Sequence, residues 1–388
     1  MVLSPKPNMK FLHTADWQIG MKAVHVGSSG DQVRKARLEA VQKVIEIANR
    51  NKVEFMVLAG DTFQDNAVDR ILVQKVADLL GTFRSPVFII PGNHDPFHSG
   101  SVWDHPAWRS SNNIKVMLEE KPVDVPGGLL YPCPAFAKYS GKNPTAWIRA
   151  TLSTKTADSR IHIGVAHGAV ENVPLDEPDY PIPENAALLC GLDYLALGHW
   201  HSTLMFTSPD GALRMAYAGT HETTKFGERD SGNALIVEIP EPGAHPNIFA
   251  VRTGFLDWLV IEEDILHPGD LLRLREKIEA IEKSSTTLLN LRVKGLLFNQ
   301  DYQELQRINE IATARFLFYK PDFSGLNLAP NDTDWVLELP VGVLRKAGEK
   351  LRELSSPGYQ GPRSEGMNTE VATRALMLLY SFYLETKQ

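Results

Sequence analysis

Five short polar segments each follow an apolar run that reads as a buried strand, and they carry side chains of the kind that bind divalent metal ions. In chain order they are Asp16-Trp17-Gln18, Gly60-Asp61, Gly92-Asn93-His94-Asp95, Ala166-His167-Gly168 and Gly198-His199-Trp200-His201. Mixed Asp, Asn and His ligands suit a borderline or hard divalent ion such as Mn²⁺, Fe²⁺ or Zn²⁺. A carboxylate shared by two such ions, about 3.5–4 Å apart, could help to clamp a phosphate and to activate a water molecule.

Taken singly, each segment has an ordinary structural explanation. An Asp after a strand commonly caps a helix or a turn, a His-Gly pair commonly lies in a turn, and alternate His residues can be polar surface. The segment Gly92-Asn93-His94-Asp95 is more specific, because four polar residues on a tight turn after the buried "VFII" are difficult to explain by packing. All five segments in this order indicate a metal centre.

The elements between the segments predict how the ligands could meet. "MKFLHTAD", "VEFMVLAGD" and "PVFIIPGNHD" read as buried strands, and residues 31–51 and 67–80 have apolar side chains at helical spacing. This strand–helix–strand–helix–strand order is typical of a parallel α/β layer. Because the ends of parallel strands share one edge of a sheet, ligands that are distant in sequence can converge there.

The rest of the chain predicts further strands and a second domain. "RIHIGVAHG" and "LDYLALGHWH" carry the last two polar segments, and "LMFTS", "LRMAYAGT" and "NALIVEIP" are predicted to form a meander. After Phe255 the composition shifts to a helix–strand–helix–strand set, followed by helices near residues 341–354 and 369–385. The last helix is apolar on more than one face, so it is expected either to be buried on its own domain or to dock on a partner.

The composition excludes several classes of protein. The chain has 388 residues, 43% hydrophobic and 22% charged, which is enough for two or three domains with a sizeable core. The formal charge of −7 gives no overall attraction to nucleic acid, although a local basic groove or bound metal ions can attract phosphate. Two cysteines exclude a disulfide framework. Without a signal-like N-terminus or an apolar run of about 18 residues, a soluble cytoplasmic protein with no membrane contact is expected.

The motifs resemble those of the calcineurin-like metallophosphoesterase superfamily and, within it, the SbcD family of DNA double-strand-break repair nuclease subunits. "FLHTADWQIG" is similar to the first motif of that family, "AGDTFQDN" to its second, and "YAGTHETTKFGERDSGNALIVEI" to the segment after its last metal motif. The resemblance implies an α/β fold with a four-layer αββα metallophosphoesterase sandwich over residues 1–254. It also implies a small α/β capping domain over residues 255–325 and a linker with C-terminal helices over residues 326–388.

By this resemblance, two divalent metal ions are expected, with Mn²⁺ the expected ion. The implied ligands of the first ion are Asp16, Gln18, Asp61 and His201, and those of the second are Asp61, Asn93, His167 and His199. His94 would act catalytically beside the phosphate, and Asp95 would orient His94. The implied activity is hydrolysis of DNA phosphodiesters, as an exonuclease, an endonuclease or both, in DNA repair. The implied partners are DNA, an SMC-like ATPase subunit of the SbcC type and a second copy in a homodimer.

Two positions depart from the family pattern. Gln18 and Gln64 stand where the SbcD family has His, and a neutral amide oxygen is a weaker ligand than imidazole for a transition metal. The first metal position is therefore expected to bind its ion more loosely or to hold a harder ion, and Gln64 puts processive exonuclease activity in doubt. Two other functions remain open: a DNA-end-binding scaffold subunit with a weakened metal site, and a phosphodiesterase acting on small nucleotides.

Several further residues have both a functional and a structural interpretation. The aromatic loop "SVWDHPAWRSS" could stack on nucleic acid, but a loop packed over the sheet is favoured. The basic residues Arg34, Lys35 and Arg37 could touch phosphates, but a solvated helix face is favoured. His13 is expected to face the core or a partner side chain rather than a metal ion.

Overall fold

The computed structural model describes residues 9–152, 159–174, 179–330, 332–356, 358–362 and 368–386. Residues 1–8 lie outside these ranges. They form most of the N-terminal segment in which no secretory signal is expected. The chain divides into two compact units, Met1–Asp257 and Trp258–Gln388. All five polar segments belong to the first unit.

The first unit combines β-strands with α-helices. Its strands are β1 (Met9–Thr14), β2 (Phe55–Ala59), β3 (Val87–Ile90), β4 (Ile114–Val116), β5 (Val123–Val125), β6 (Gly128–Cys133), β7 (Ile161–His167), β8 (Tyr194–Gly198), β9 (Leu204–Thr207), β10 (Leu213–Tyr217), β11 (Asn233–Ile239) and β12 (Asn247–Arg252). Its α-helices are α1 (Gly30–Arg50), α2 (Arg70–Gly81), α3 (Ala146–Leu152) and α4 (Ala186–Cys190). The predicted order β1–α1–β2–α2–β3 is confirmed.

Two six-stranded sheets form the centre of this unit. The first has the order β12-β11-β1-β2-β3-β4, in which β1 to β4 are parallel and β11 is antiparallel to β1. The second has the order β5-β6-β7-β8-β10-β9, in which β6, β7, β8 and β10 are parallel. The carboxyl ends of the parallel strands in each sheet therefore lie along one edge of that sheet, as a shared ligand site requires.

Three apolar clusters divide the first unit into four layers. Between the sheets, the rings of Phe11 and Phe55 stack with centroids 4.9 Å apart, and Tyr194 from the second sheet meets Phe11 edge-on at 5.7 Å. A second cluster joins the first sheet to α1 and α2, and a third joins the second sheet to α3 and α4. The predicted αββα sandwich is confirmed.

Helical spacing decides which side chains of α1 face the first sheet. Val33, Ala40 and Val44 are fully buried and lie seven and four residues apart, on one stripe of the helix. Arg37 falls on the same stripe and is only 1% exposed. The spacing therefore carries a guanidinium group into the interior, beneath the polar segments.

The strands after β8 depart from the prediction. The predicted meander is wrong, since β9 and β10 extend the second sheet while β11 pairs with β1 in the first. Residues 218–232 therefore cross from one sheet to the other. Local sequence patterns do not reveal which sheet a short buried strand joins, because that choice depends on pairing with distant strands.

The second unit contains a three-stranded sheet and four α-helices among its described residues. Its strands are β13 (Asp257–Ile265), β14 (Thr287–Leu297) and β15 (Phe318–Leu328), and its helices are α5 (Asp270–Glu279), α6 (Tyr302–Arg315), α7 (Val343–Ser355) and α8 (Thr369–Glu385). The strands lie in the order β13-β14-β15, and α5 and α6 pack against them. The predicted helix–strand–helix–strand set is observed, and β13 was not predicted.

The last helix packs partly within its own unit. Ala372 and Leu376 are buried, and the cluster around Leu376 includes Trp335. The other side of α8 exposes Leu378 and Phe382, at 40% and 53%. Over the described part of the chain, none of the helices has the length and apolar character that crossing a membrane requires.

Candidate metal centre

The polar segments at the strand ends hydrogen-bond directly to one another. The backbone N–H of Asp16 donates to the carbonyl of Gly60 at 3.1 Å, and that of Gln18 donates to the carbonyl of Asp61 at 2.9 Å. The backbone N–H of His199, from the second sheet, donates to the Asp16 carboxylate at 3.0 Å. The two sheets therefore meet at one site through the segments that the sequence singled out.

The backbone at this site bends into a conformation that non-glycine residues rarely adopt. Asp16, Gln18, Asp61 and His199 have positive φ angles of 54°, 46°, 51° and 109°. Positive φ costs a residue with a Cβ atom on the order of 1 kcal/mol or more, and such residues cluster at functional sites. The strain is the cost of turning four polar side chains from strand ends into one small volume.

Glycines allow the strand ends to approach closely. A Cβ atom on Gly92 would lie 2.2 Å from Oδ1 of Asp61, and one on Gly60 would lie 2.3 Å from Nδ1 of His167. Both separations are far below van der Waals contact. Any side chain at either position would push apart two of the candidate metal ligands.

Asp61 lies at the centre of the site. Its Oδ1 accepts from the backbone N–H of His94 at 2.9 Å and lies 3.4 Å from Nε2 of His167, while its Oδ2 accepts from Nε2 of Gln18 at 2.9 Å. Ligand atoms of Asp16, Asp61 and His167 all lie within 4.8 Å of one another. Asp61 thus faces both halves of the site, as a carboxylate shared by two ions would.

The donor atoms of the second half form a group that a cation would satisfy. Nδ1 of His167 donates to the carbonyl of Ala59 at 2.9 Å, so its Nε2 points at Oδ1 of Asn93, also 2.9 Å away. Oδ1 of Asn93 lies 3.4 Å from Nδ1 of His199 as well. Several lone pairs therefore converge on a buried point, and the residues present fit a divalent metal ion.

The electrostatics of the site favour positive charge. Burial alone would lower the pKa of His167, but the adjacent Asp61 carboxylate raises it to about 9, so a metal ion that binds Nε2 would displace a proton from it. Burial raises the pKa of Asp16 to about 7, whereas His167 and His94 hold that of Asp61 well below its usual range despite burial. Burial, followed by the charge of His167, lowers the pKa of His199 to about 3, so this imidazole stays neutral as a ligand must.

The comparisons with known proteins agree with this geometry. The sequence model of the family described as "Calcineurin-like phosphoesterase" matches residues 9–203. This range is half of the chain and includes all five polar segments. The chain belongs to the calcineurin-like phosphoesterase family. It is a metal-dependent phosphoester hydrolase, and the divalent ions that the family uses fit the residues described above.

Two relatives of this phosphoesterase extend beyond the family match. The metallophosphoesterase YhaO of Bacillus subtilis is 22% identical over 89% of this chain and 78% of its own length. The DNA double-strand break repair protein Mre11 of Saccharolobus solfataricus is 23% identical over 80% of this chain and 81% of its own. Among solved structures, a dimetal phosphatase from Danio rerio aligns over 63% of this chain and 99% of its own, with 12% identity and a TM-score of 0.43.

Two buried or half-buried carboxylates contact candidate metal ligands of the phosphoesterase site, and neither was predicted from the sequence. Oδ2 of Asp179 lies 3.4 Å from Nδ2 of Asn93, which turns the amide oxygen toward the histidines. Oε1 of Glu228 lies 2.9 Å from Nδ1 of His201. The sequence signal for Glu228 was its place in "HETTKFGERD", a segment already singled out; Asp179 had none.

Gln18 is buried at the site, only 5% exposed, as a polar ligand position would be. Its Nε2 donates to Asp61, so in this arrangement it supports the shared carboxylate through its nitrogen. To act as a ligand it would have to present Oε1 instead. An amide at this position therefore both weakens one ligand and competes for an oxygen of Asp61.

Replacing Gln18 with His is expected to tighten the weaker of two Mn²⁺-binding steps roughly tenfold, because imidazole is the stronger ligand and does not require an amide to turn. Isothermal titration of the wild type and the variant with Mn²⁺ measures both steps. Gln42→His, on the exposed side of α1, is the matched control and should leave both steps unchanged. Equal affinities in Gln18→His and wild type would show that position 18 contributes no ligand.

The side chains of His94 and Asp95 differ in their hydrogen-bond partners and in their burial. Nδ1 of His94 lies 3.1 Å from the carbonyl of Gln64, which leaves Nε2 as the ring atom that can face a substrate. The Asp95 carboxylate is fully buried and accepts from the backbone N–H groups of Gly92 and Phe63, at 2.7 and 2.9 Å. The Gln64 carbonyl, and not the Asp95 carboxylate, contacts the His94 ring, whereas Asp95 ties the third polar segment to the second. The predicted influence of Asp95 on His94 is therefore limited to holding the backbone of their shared turn.

Arg37 is also corrected by the structure. Both interpretations, phosphate contact and solvated helix face, are wrong for this residue, since its guanidinium is buried and donates to the carbonyls of Trp17 and Glu222 and to the Thr220 hydroxyl. Burial lowers its pKa to about 10, so it stays charged at neutral pH. Arg34 and Lys35 do lie on the exposed face of α1.

The aromatic loop "SVWDHPAWRSS" is packed, which is the interpretation that the sequence favoured. Trp103 and Trp108 are 4% and 5% exposed, their rings stack with centroids 5.3 Å apart, and both meet Phe63 edge-on. His13 is fully buried, with Nδ1 3.0 Å from the Tyr194 hydroxyl, so it faces the core as expected. These side chains therefore belong to the packed interior.

Proposed function

We propose that this phosphoesterase is a two-metal DNA nuclease of the SbcD type, using Mn²⁺ and working in DNA repair with an SMC-like ATPase. The observation that supports it most is the buried group of polar side chains centred on Asp61, whose two oxygens face Gln18 and His167. The likeness to Mre11, which covers 80% of this chain, favours DNA as the substrate. That likeness reaches beyond the phosphoesterase match over residues 9–203.

The proposed ligand sets follow the two halves of the site. The first ion would be held by Asp16, Gln18, Asp61 and His201, and the second by Asp61, Asn93, His167 and His199. When bound, such a pair of ions supplies Lewis acidity to the phosphate and lowers the pKa of a coordinated water.

The protein's own groups orient the reactants. The backbone N–H of His94 donates to Oδ1 of Asp61, so the turn that carries His94 is fixed to this carboxylate. With Nδ1 of His94 held by the Gln64 carbonyl, its Nε2 is placed to stabilise the phosphate oxygens or to deliver a proton to the leaving oxygen. His94 is therefore the proposed catalytic residue that does not bind metal, and Asp95 supports it by fixing the loop.

A substrate panel tests this function. Purified protein with Mn²⁺ is expected to cleave single-stranded and end-bearing duplex DNA and a chromogenic phosphodiester, and to lose this activity on chelation. A cyclic nucleotide should be hydrolysed more slowly than DNA. If neither DNA nor the chromogenic ester is cleaved, the nuclease proposal fails; if the cyclic nucleotide is strongly preferred, the protein is a small-nucleotide phosphodiesterase.

The scaffold alternative has one specific observation in its favour, the hydrogen bond from Gln18 to the Asp61 carboxylate. A first metal position that competes with this bond could stay empty at cellular Mn²⁺ concentrations, leaving DNA binding without efficient cleavage. An anomalous-scattering map of Mn²⁺-soaked crystals distinguishes the two functions. Two peaks at the site support the nuclease, and one or none supports the scaffold.

The proposed protein partners rest on the family resemblance and not on the metal centre. We propose that the exposed side of α8, with Leu378 and Phe382, contacts the coiled coil of the ATPase subunit, and that the chain forms a homodimer. Both follow from the resemblance to the SbcD family. Sedimentation of the purified chain at several concentrations tests the proposed homodimer.

A further inference from the structure

Glu228 lies in the segment that crosses from the second sheet to the first, residues 218–232. Its side chain is only 5% exposed. Oε1 lies 2.9 Å from Nδ1 of His201, and Oε2 accepts from the backbone N–H of Thr224 at 2.7 Å. The Thr224 hydroxyl also donates to Oε1 and lies 3.4 Å from Nδ1 of His201. A buried carboxylate is thus fixed on one ring nitrogen of a candidate ligand.

The crossing segment is held to His201 at a second point. The backbone N–H of Thr220 donates to the carbonyl of His201 at 2.9 Å, and the Thr220 hydroxyl receives a hydrogen bond from the buried Arg37. Arg37 also donates to the Glu222 carbonyl at 2.7 Å. Glu228 therefore approaches His201 from a braced loop and not from a freely moving surface turn.

This geometry decides which nitrogen of His201 can bind metal. A carboxylate accepts a hydrogen bond, so it favours the neutral tautomer with the proton on Nδ1 and leaves the lone pair on Nε2. A carboxylate behind a ligating His also raises its basicity, and removing such a partner typically weakens metal binding about 10–100-fold. His201 and Gln18 are proposed ligands of the same ion.

We propose that Glu228 is a positioning residue for His201 and strengthens this imidazole as a ligand, offsetting the weak amide ligand Gln18 at the first metal position. The inference rests on the proposed two-metal function. It assigns a role to the "HETTKFGERD" segment that the ligand sets alone leave unexplained. It also explains how the first position can hold an ion although one imidazole of the family pattern is missing.

The test uses the full chain and two readouts other than cleavage. Titration with Mn²⁺ should show that Glu228→Gln weakens the weaker binding step about 10–100-fold and leaves the tighter step nearly unchanged. The ¹⁵N spectrum of the histidines in the metal-free protein, recorded at alkaline pH and assigned with His201→Asn, should show His201 shifting from the Nδ1–H toward the Nε2–H tautomer in Glu228→Ala. Glu46→Gln, on the exposed side of α1, is the matched control.

A double variant and a milder variant sharpen the test. Glu228→Gln should cost less Mn²⁺ affinity in a Gln18→His background than in the wild type, whereas a merely structural role for Glu228 would cost the same in both backgrounds. Thr224→Val, which removes the hydroxyl beside Oε1, should weaken the same step by a smaller factor if the larger change prevents folding. Unchanged Mn²⁺ binding with an unchanged tautomer overturns the inference even if DNA is cleaved; the expected shifts without DNA cleavage would support it while the nuclease proposal fails.

Discussion

Asp61→Asn is expected to abolish phosphodiester hydrolysis, lowering kcat/KM by on the order of 10³-fold or more, equivalent to about 4 kcal/mol of transition-state stabilisation. The reason is the position of Asp61, whose two oxygens face His167 on one side and Gln18 on the other. An amide has nearly the same size but lacks the negative charge that two ions would share. Cleavage of DNA and of a chromogenic phosphodiester with Mn²⁺ measures the loss.

The matched control for this variant is Asp78→Asn. Asp78 lies on the exposed side of α2 and accepts from Nε2 of Gln74, so its charge is screened by water. Activity of the control should stay within about twofold of wild type, as expected for a surface substitution. Circular dichroism of both variants separates loss of chemistry from loss of fold. Activity of Asp61→Asn within tenfold of wild type would exclude a metal-bridging role.

Arg37→Met is expected to lower the free energy of unfolding of the first unit by about 3–5 kcal/mol, as breaking a buried charged network typically does. The guanidinium joins the carbonyl of Trp17, after the first strand, to the carbonyl of Glu222 in the crossing segment. A methionine fills similar volume but leaves these buried carbonyls without their donor. The free energy of unfolding of Arg37→Lys should lie between those of the wild type and Arg37→Met, since one ammonium group cannot reproduce the planar set of donors of a guanidinium.

Urea unfolding followed by tryptophan fluorescence measures this loss, together with the thermal midpoint. Arg50→Met, near the exposed end of the same helix, is the control and should change stability by about 0.5 kcal/mol or less. Because Arg37 holds the loops of Asp16 and Glu228 together, Mn²⁺ binding should also weaken in the Arg37 variant. A destabilisation under about 1 kcal/mol would mean that the loops hold their own positions.

The candidate ligands could be located from sequence because each stands at a visible boundary. A buried strand can be recognised as a short apolar run, and a polar residue such as Asp61 or His167 at its end stands out from the apolar pattern. The order of strands and helices then implied a common edge. The structure brings together Asp16, Gln18, Asp61, Asn93, His167 and His199, with His201 adjacent.

Supporting residues were harder to find because their roles depend on distant partners. Arg37 looks like other basic residues of α1, and only its place on the buried stripe distinguishes it. Asp95 was assigned to its neighbour His94, but its carboxylate turns toward Phe63 in the preceding segment. Adjacency in sequence was a poor guide here, since side chains on a tight turn point in different directions.

By itself, the sequence determined the parallel β1–α1–β2–α2–β3 layer and the residue types available for a metal centre, since local periodicity and composition encode these features. The αββα sandwich was expected only from the resemblance to a known family. Tertiary structure alone decided that β11 crosses to the first sheet and that Glu228 reaches His201 from the crossing segment. It also decided that the Gln18 amide turns its nitrogen toward Asp61. These features arise from contacts between residues far apart in the chain, where pairing, burial and hydrogen bonding are settled together and no local pattern records the outcome.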